Sequence, residues 1–366
     1  MIKKKTVFVA VTNDVSTDQR VHKVCNYLLS TNFEVVVYGR LLPDTLSVER
    51  NYNIKRKKLW FNHNFLFYAE YNIRLFWYLL FHSYDIILSN DIDTLPACFF
   101  GSKIKKTALV FDSHELFSEG PELQGRIFVK GFWKRLEKYF LPKLKKSYTV
   151  SKSIADFYAE KYQVEMGVVR NVPLLEKEMT IEKVSFPTSH KVVLYQGVLN
   201  PGRGLESMIK ALHVLDKIDL VIIGYGKTEN ELKAFVAEQQ LNSRVHFLGK
   251  VSSERLFNYT KLADVGMVLE EPLGKSFEFS LPNKLFDFIH AKTPIVCGNL
   301  PEISKIVRQY KVGEIVEDPT PVSIANTVRE LMKNTALREH IREHQREAAK
   351  ELCWENERQL LDNYFI

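Results

Sequence analysis

A predicted helix start near position 283 combines an amide, a cation and, one turn later, a carboxylate. Residues 280–298 predict a loop, an amphipathic helix and a short buried strand, and Pro282 suits a first helical turn. Asn283 and Lys284 fall at the helix start, where free N–H groups and the helix dipole favour an anion. Asp287 could accept hydrogen bonds from hydroxyl groups of a ligand. The alternative is an amphipathic core helix with an ordinary start.

A second polar cluster, Asp112-Ser113-His114-Glu115, directly follows a predicted buried strand. Open α/β sheets bind ligands at the carboxyl ends of their strands. A histidine is suited to share a proton near neutral pH. The cluster therefore predicts a catalytic site, and the alternative is a loop histidine satisfied by Asp112.

Glycines follow three other predicted strands. Gly197 begins a loop in which Arg203 precedes a helix, so the backbone could approach a ligand closely and the cation could lie beside a phosphate. Gly224 and Gly226 follow the next strand, and Gly249 follows the one after it. Such glycines also simply end strands, so each is a weak signal alone.

The first strand is followed by a third polar group. Asn13 lies just after that strand, and Asp18 and Arg20 open the first predicted helix. No glycine-rich turn is present, so the sequence does not predict a phosphate loop there. The alternative is that Asp18 starts the helix electrostatically and Arg20 is solvated.

These motifs resemble those of the family 4 retaining glycosyltransferases, which have the GT-B fold. The segment LPNKLFDFIHAKTPIV resembles their donor-binding segment, D-S-H-E is one of their motifs, and NDVSTDQRVHKVCNYLL resembles a D-x-R-V stretch of one subgroup. The resemblance implies that His114 hydrogen-bonds or orients the transferred sugar and that Glu115 lies close to the acceptor. It assigns four residues to the acceptor side and the cleft: Asn13, Asp18, Arg20 and Asp112.

On the donor side the chain departs from the family pattern twice. Phe279 stands where many members have the first of two glutamates, with Glu278 beside it, and Asp287 takes the second acidic position. In the stretch that resembles G-R-x-x-x-x-K-G, Val198 replaces the arginine and Arg203 takes the place of the lysine. The donor-binding residues implied by the resemblance are Gly197, Arg203, Gly224, Gly226, Gly249, Glu278, Asn283, Lys284 and Asp287.

The elements that position these residues alternate between short apolar strands and helices, which predicts parallel, doubly wound sheets. Residues 171–190 interrupt the alternation and predict a linker. The predicted fold class is α/β, of the GT-B type, with two Rossmann-like domains facing a central cleft. The predicted domains are residues 1–175 and 188–350, with a terminal helix, 351–366, that packs back on the first domain.

The most basic stretch, 126–146, has eight Lys or Arg against the single acid Glu137, with aromatic residues interleaved. This pattern is typical of a helix that lies on an anionic membrane. A solvated helix face and a nucleic-acid partner are alternatives, although no nucleic-acid motif is visible. Residues 55–58, which are all basic, form a second patch. The predicted membrane contacts are Lys130, Trp133, Lys134 and Lys138.

Composition limits the class of protein. The chain has 366 residues, 45% hydrophobic and 26% charged, which is typical of a folded protein of two domains. Its four cysteines form no C-x-x-C pair, so neither a disulfide framework nor a zinc site is indicated. The longest strongly apolar run, 75–81, is too short to span a bilayer. We therefore expect a cytoplasmic protein associated peripherally with the inner face of the cell membrane.

The predicted function is the transfer of a hexose or N-acetylhexosamine from a nucleotide sugar, such as a UDP- or GDP-sugar, to an acceptor hydroxyl. The expected partners are a nucleotide sugar, a glycan or lipid-linked acceptor of surface polysaccharide synthesis and an anionic membrane, without nucleic acid. No metal and no further cofactor are expected. The alternatives are an epimerase or hydrolase of the same fold and a non-catalytic nucleotide-sugar-binding subunit.

Overall fold

The computed structural model describes residues 4–16, 18–42, 47–175 and 182–366. The chain divides into two compact units. The first unit comprises Met1–Asn171 and Arg358–Ile366, and the second comprises Val172–Glu357. The predicted linker, 171–190, begins at this division, and its residues 176–181 lie outside the described residues.

The first unit is built on a seven-stranded sheet in the order β3-β2-β1-β4-β5-β6-β7, in which every pair is parallel. The central strands are continuous apolar runs because helices cover both faces of such a sheet. The strand order is that of a Rossmann domain. The strands are β1 (Thr6–Ala10), β2 (Glu34–Arg40), β3 (Asn53–Lys57), β4 (Ile86–Asn90), β5 (Ala108–Ser113), β6 (Ser147–Thr149) and β7 (Gly167–Val168).

The helices of this unit each bury one face, and the first begins at a side-chain cap. Asp18 caps the first helix by accepting a hydrogen bond from the Val21 N–H at 3.0 Å. The second helix buries Tyr71, Leu75 and Leu79 against the sheet. The helices are α1 (Gln19–Ser30), α2 (Asn64–Phe81), α3 (Asp91–Lys105), α4 (Ile127–Phe140) and α5 (Lys152–Tyr162).

The second unit is built on a six-stranded parallel sheet in the order β10-β9-β8-β11-β12-β13. Its strands are β8 (Lys191–Gln196), β9 (Ile218–Ile223), β10 (Val245–Gly249), β11 (Val265–Val268), β12 (Ile295–Gly298) and β13 (Gly313–Val316). The helices between and after them are α6 (Leu205–Ala211), α7 (Glu229–Glu238), α8 (Ser253–Leu262), α9 (Lys275–Glu278), α10 (Asn283–Ala291), α11 (Pro301–Tyr310), α12 (Pro321–Lys333), α13 (Thr335–Glu351) and α14 (Trp354–Glu357).

The predicted α/β fold class, with two Rossmann-like domains, is confirmed. The single terminal helix predicted for 351–366 is wrong, because the chain forms three short pieces there: α14, a 3-10 turn (Arg358–Leu361) and α15 (Asp362–Phe365). The end of the chain packs on the first unit, where the Tyr364 ring contacts Tyr148 and the Lys146 ammonium donates to the Tyr364 carbonyl at 2.8 Å.

Asp219 ties together the amino-terminal edge of the second sheet. Its carboxylate accepts a hydrogen bond from Arg244 Nε at 3.0 Å and pairs with His190 at 3.0 Å and His246 at 3.1 Å. Burial alone would raise the pKa of Asp219, but hydrogen bonds from Thr188, His190, His246 and Arg244 outweigh it and lower the pKa to about 2. The charged carboxylate therefore stabilises the fold.

We expect Asp219→Asn to lower the free energy of unfolding by about 2 kcal/mol at pH 6, since each pKa unit corresponds to about 1.4 kcal/mol. Because the folded pKa lies below the unfolded value, this stabilisation is present above about pH 4 and is lost as the pH falls towards 2. Urea unfolding of parent and variant at pH 6 and pH 3 measures the effect. Asp216→Asn, at an exposed position nearby, is the matched control. An equal loss of stability at both pH values would contradict this account.

Candidate active site

Parallel pairing brings a set of polar side chains to one edge of the first sheet. The register of β4 with β5 places Asn90 beside Asp112, at the carboxyl end of both strands. His114 follows β5, Asp91 begins α3, and Arg20 reaches the same place from α1. We call these residues the first-unit cluster: Arg20, Asn90, Asp91, Asp112 and His114.

Arg20 and Asp112 form a buried ion pair. The guanidinium is 4% exposed and the carboxylate 0%, and the two groups form paired hydrogen bonds at 2.9 and 2.7 Å. The remaining guanidinium nitrogen donates to the Val169 carbonyl at 2.9 Å. Burial alone would raise the pKa of Asp112, but Arg20 and His114 outweigh it and lower the pKa to about 2. Arg20 is therefore not solvated, which was the alternative left open by the sequence.

His114 lies between two carboxylates. Its Nε2 is 3.3 Å from Asp112 Oδ2 and its Nδ1 is 3.4 Å from Asp91 Oδ2. Asn90 Oδ1 is 3.1 Å from Nε2, and the His114 backbone N–H donates to Asp91 Oδ1 at 2.8 Å. Burial would lower the pKa of His114, but Asp91 and Asp112 raise it to about 10. The ring is thus an imidazolium at neutral pH, held on both sides rather than by Asp112 alone.

Asp91 was missed by the sequence analysis. It is the first residue of α3 and has a φ of 58°, in the left-handed region that few residues other than glycine adopt. Such strain occurs where a side chain must be aimed at a functional site. The apolar pattern that predicts this helix begins only after the two aspartates, near Thr94, and so does not reveal them. The available signal was the string N-D-I-D directly after a buried strand.

Asp93, one turn into α3, was missed for the same reason. It is 5% exposed, and Thr12 Oγ1 donates to its Oδ2 at 2.5 Å. Burial, together with the neighbouring Asp91 carboxylate, raises the pKa of Asp93 to about 7. A carboxyl group with this pKa gains or loses its charge in the neutral range.

The other predicted residues of this unit lie nearer the surface. Asp18 acts as the cap of α1, and its second oxygen accepts a hydrogen bond from the exposed Asn13 amide at 3.3 Å. The Glu115 side chain is exposed, while its backbone carbonyl accepts a hydrogen bond from Ser113 Oγ at 3.0 Å. The roles assigned to Asn13, Asp18 and Glu115 by resemblance stay predictions.

In the second unit the predicted glycines join three strand ends through their backbones. The Gly197 N–H donates to the Ile223 carbonyl at 3.0 Å, and the Gly224 N–H donates to the Gly249 carbonyl at 2.9 Å. Gly224 has a φ of 152°, and a Cβ at this position would lie 1.8 Å from the Gly197 carbonyl oxygen. A Cβ on Gly226 would lie 2.2 Å from the Leu199 carbonyl oxygen. Gly224 and Gly226 are therefore required by close packing of one backbone segment on another, whereas a Cβ on Gly249 would meet nothing within 4 Å.

Arg203, Glu270 and Lys284 form a second cluster of charges, which we call the second-unit cluster. The Glu270 carboxylate is fully buried, with Lys284 Nζ at 2.7 Å and Arg203 Nη1 at 3.5 Å from its Oε1. The ammonium lies over the Tyr195 ring at 4.0 Å and the guanidinium over the Phe277 ring at 4.5 Å. Two cations against one carboxylate leave one positive charge.

This cluster is also short of hydrogen bonds. Lys284 and Glu270 are close enough to pair, yet their geometry is not that of a hydrogen bond, and Lys284 Nζ, Arg203 Nε and both Glu270 oxygens have no hydrogen-bond partner among the described residues. Buried charges of this kind call for a partner. An anion between Arg203 and Lys284 would supply acceptors. The sequence analysis missed Glu270, although it lies only two residues after the end of the buried strand β11.

The remaining donor-side predictions lie around α10. Asp287 accepts a hydrogen bond from Gln196 Nε2 at 3.0 Å, which fixes it beside the end of β8. Asn283 is the exposed first residue of the helix. Glu278 pairs with Lys275 at 2.8 Å on the short helix α9. Their contacts with a donor stay predictions.

One predicted membrane contact, Trp133, is wrong. Its side chain is 4% exposed and packs edge-on against Phe117 and Tyr68, with ring centroids 4.7 and 4.9 Å away. Trp133, Glu137 and Phe140 are the buried face of α4, because they recur at helical spacing on the side that meets the core. The indole therefore cannot enter a bilayer.

The other face of α4 is exposed. Lys130 and Lys134 pair with Glu119 at 2.6 and 2.9 Å, whereas Lys138 and Arg135 lie on the surface. Large apolar side chains on this exposed face are Ile127, Phe128, Phe132 and Tyr139.

In the described part of the chain, no helix is long and apolar enough to cross a bilayer, and no three His, Cys, Asp or Glu side chains are grouped as a metal site.

Comparison with known proteins identifies the class. Residues 18–173 match the model named Glycosyltransferase Family 4, and residues 176–348 match the model named Glycosyl transferases group 1. The two matches follow the two units and together cover most of the chain. The chain belongs to these glycosyltransferases, and it is an enzyme that uses a nucleotide sugar. The predicted family and general activity are thereby confirmed.

Individual relatives are distant. An uncharacterized glycosyltransferase of Methanocaldococcus jannaschii is 24% identical over 305 residues, which is 77% of this chain and 75% of the relative. Sucrose-phosphate synthase from Thermosynechococcus elongatus has the same fold, with a TM-score of 0.79, 16% identity and 98% of each chain covered. The Anabaena protein HepE, solved in complex with UDP-glucose, has a TM-score of 0.73, 15% identity and 98% of each chain covered.

We expect Lys284→Met and Arg203→Met each to weaken the binding of a nucleoside diphosphate, with UDP and GDP as the probes, by about 1.5–3 kcal/mol, the range for a hydrogen bond to a charged group. This corresponds to a rise in Kd of about 10- to 150-fold, measured by calorimetry. Methionine is used because it fills the space of the side chain without its charge. Lys333→Met, at an exposed position on α12, is the matched control. Parental affinity in both variants would show that Arg203 and Lys284 do not bind the diphosphate.

Proposed function

We propose that the chain transfers a hexose from a UDP-sugar, with retention of configuration and without a metal, to a hydroxyl of a membrane-borne, lipid-linked acceptor. The observation that carries this proposal is the second-unit cluster, where Arg203 and Lys284 share one buried carboxylate. The surplus positive charge and the free hydrogen-bonding capacity suit a diphosphate. The complex of HepE with UDP-glucose supports uridine as the base and a hexose as the sugar.

In this proposal the second unit binds the donor. The diphosphate lies between Arg203 and Lys284, and the N–H groups at the start of α10 add a favourable dipole. The bare backbone at Gly249, where a Cβ would meet nothing within 4 Å, allows the nucleotide to approach that strand end. Asp287, held by Gln196, accepts hydrogen bonds from sugar hydroxyls. Arg203, Lys284 and the N–H groups of α10 are fixed before the reaction. They therefore stabilise the negative charge that develops on the departing diphosphate.

The transfer itself breaks the bond between the anomeric carbon and the diphosphate oxygen, whose electron pair leaves with the nucleotide. The acceptor oxygen forms the new bond on the same face, and its proton passes to the departing phosphate. We assign to His114, which is held by Asp91 and Asp112, the role that the family resemblance implies, a hydrogen bond that orients the transferred sugar. Arg20 is a positioning residue, because its guanidinium is occupied by Asp112 and the Val169 carbonyl.

We expect His114→Ala to reduce sugar transfer by at least about 100-fold, the effect of removing one preorganised electrostatic contact. The affinity for UDP should stay at the parental value, since the donor-binding residues belong to the other unit. Release of UDP and far-ultraviolet circular dichroism measure activity and folding. His114→Gln, which keeps a donor near Asp91, serves if the alanine variant is unstable. His344→Ala on α13 is the control. Transfer at the parental rate in His114→Ala would contradict the role of His114 in sugar transfer.

The membrane part of the proposal rests on the exposed face of α4. Phe128 is 94% and Ile127 is 80% exposed, and Arg135 and Lys138 lie beside them on the same helix. Exposed apolar residues next to basic ones are typical of a helix at the surface of an anionic bilayer. Trp133 is buried and is not part of this exposed face. The apolar contacts of the face with a membrane would come from Phe128 and Ile127 instead.

We expect Arg135→Glu/Lys138→Glu to weaken binding to anionic vesicles by at least about 30-fold, since each basic residue near such a surface contributes about 1 kcal/mol. Sedimentation with phosphatidylglycerol vesicles measures the bound fraction, which should also fall as salt is added. Lys305→Glu/Lys333→Glu, exposed on α11 and α12, makes the same change in charge in the second unit and is the control. Equal losses in both double variants would show that only net charge matters.

A further inference from the structure

A groove of about 830 Å³ lies between α2 and α4 in the first unit. Most of its lining is apolar, and the floor is set by Asp93 and Pro96 of α3. The apolar residues that line its length are Phe65, Tyr68, Phe128, Phe132, Trp133 and Leu136.

Asp93 lines this groove, and one of its carboxylate oxygens is unsatisfied. Its Oδ2 accepts the hydrogen bond from Thr12, whereas its Oδ1 is buried and has no hydrogen-bond partner among the described residues. The side chain as a whole is 5% exposed. Nearly all buried polar atoms have a partner in folded proteins, so an isolated carboxylate oxygen at the floor of a groove indicates a site for a ligand donor.

The charges around the groove restrict that ligand. Asp93, Glu115 and Glu122 contribute three carboxyl groups, against Arg126 as the single basic lining residue. A phosphate or carboxylate at the floor would be repelled, whereas a neutral hydroxyl would donate to Oδ1. The apolar walls favour a stem of hydrocarbon or ring character above the hydroxyl.

We infer that the groove binds an amphiphilic acceptor, with a hydroxyl of its neutral head donating to Asp93 and its apolar stem lying along Phe65, Phe132 and Trp133. This inference rests on the proposed transfer to a hydroxyl and specifies the chemical class of the acceptor. The mouth of the groove carries Phe128, which is also part of the exposed face of α4. The apolar stem of an amphiphile could therefore contact that exposed face before it enters the groove.

The test compares n-octyl and methyl β-D-glucoside, which share one head and differ in the stem, below the micellar concentration of the octyl compound. Calorimetric titration of the full chain should show at least tenfold tighter binding of the octyl glucoside. Ala69→Trp fills the groove from α2 and should abolish that advantage. Ile73→Trp, on the same helix but 59% exposed and outside the groove, should keep it. Equal affinity for both glucosides in the parent, or equal effects of the two tryptophan variants, would overturn the inference.

Asp93→Ala should weaken binding of both glucosides at least fivefold, because the hydroxyl loses its acceptor. Asp93→Asn keeps the contact with Thr12 and turns an amide N–H₂ towards the groove, so it should weaken binding as well and serves if the alanine variant does not fold. The exposed Asp156→Asn is the control. Parental affinity in the folded Asp93 variants would refute the role of the carboxylate.

The affinity for UDP, measured on the same samples, separates this inference from the proposed function. Parental UDP binding without an octyl advantage would refute the groove alone. A clear octyl advantage in a chain that binds no UDP-sugar would refute the proposed transfer and leave the groove as an amphiphile site.

Discussion

The buried pair of Arg20 and Asp112 is the interaction on which the first-unit cluster depends. Removing both charges from water is costly, and the cost is offset only where geometry is good and all remaining hydrogen-bonding groups are satisfied. Here the pairing is bidentate and the Val169 carbonyl takes another guanidinium donor. Because Asp112 stays charged, it can also hold His114, so the position of the imidazolium is fixed by a buried ion pair.

The two clusters differ in how their charges balance. In the first unit, Arg20 and His114 face Asp112 and Asp91, so the charges cancel. In the second, Glu270 neutralises only one of its two cations and leaves hydrogen-bonding groups unfilled. A cluster whose charges cancel and whose hydrogen bonds are made holds its side chains in a fixed geometry. A cluster with surplus positive charge attracts an anion, and for this reason we propose that the second unit binds the diphosphate.

The sequence predicts secondary-structure elements better than it predicts which side chains from distant segments come into contact. Alternation of strands and helices gives the fold class, and a polar string after a buried strand gives His114, because both signals are local. Strand β3 is missed because it is an edge strand of basic residues, and edge strands tolerate charge. Glu270 is missed because its partners, Arg203 and Lys284, come from distant segments and meet only after folding.

Burial within a helix is predicted least well. In α4 the basic residues fall largely on one side of the helix and the aromatic residues on the other. That pattern does not say whether the aromatic side meets the core or a membrane, and Trp133 was assigned to the membrane. Asp91 has a different cause, since a left-handed residue at a helix start leaves no trace in propensity. Both errors arise where tertiary packing overrides a local preference.

The geometry of α4 also links the two proposed surfaces of the first unit. Trp133 and Leu136 line the groove, whereas Arg135 and Lys138 point away from the core on the same helix. Phe128 belongs to both, because it lines the mouth of the groove and is 94% exposed. A helix so placed can rest on a bilayer with its outer side while its inner side encloses a stem drawn from that bilayer. The head of such a ligand would then reach the Asp93 carboxylate without its apolar part crossing water, which removes the largest cost of extracting an amphiphile.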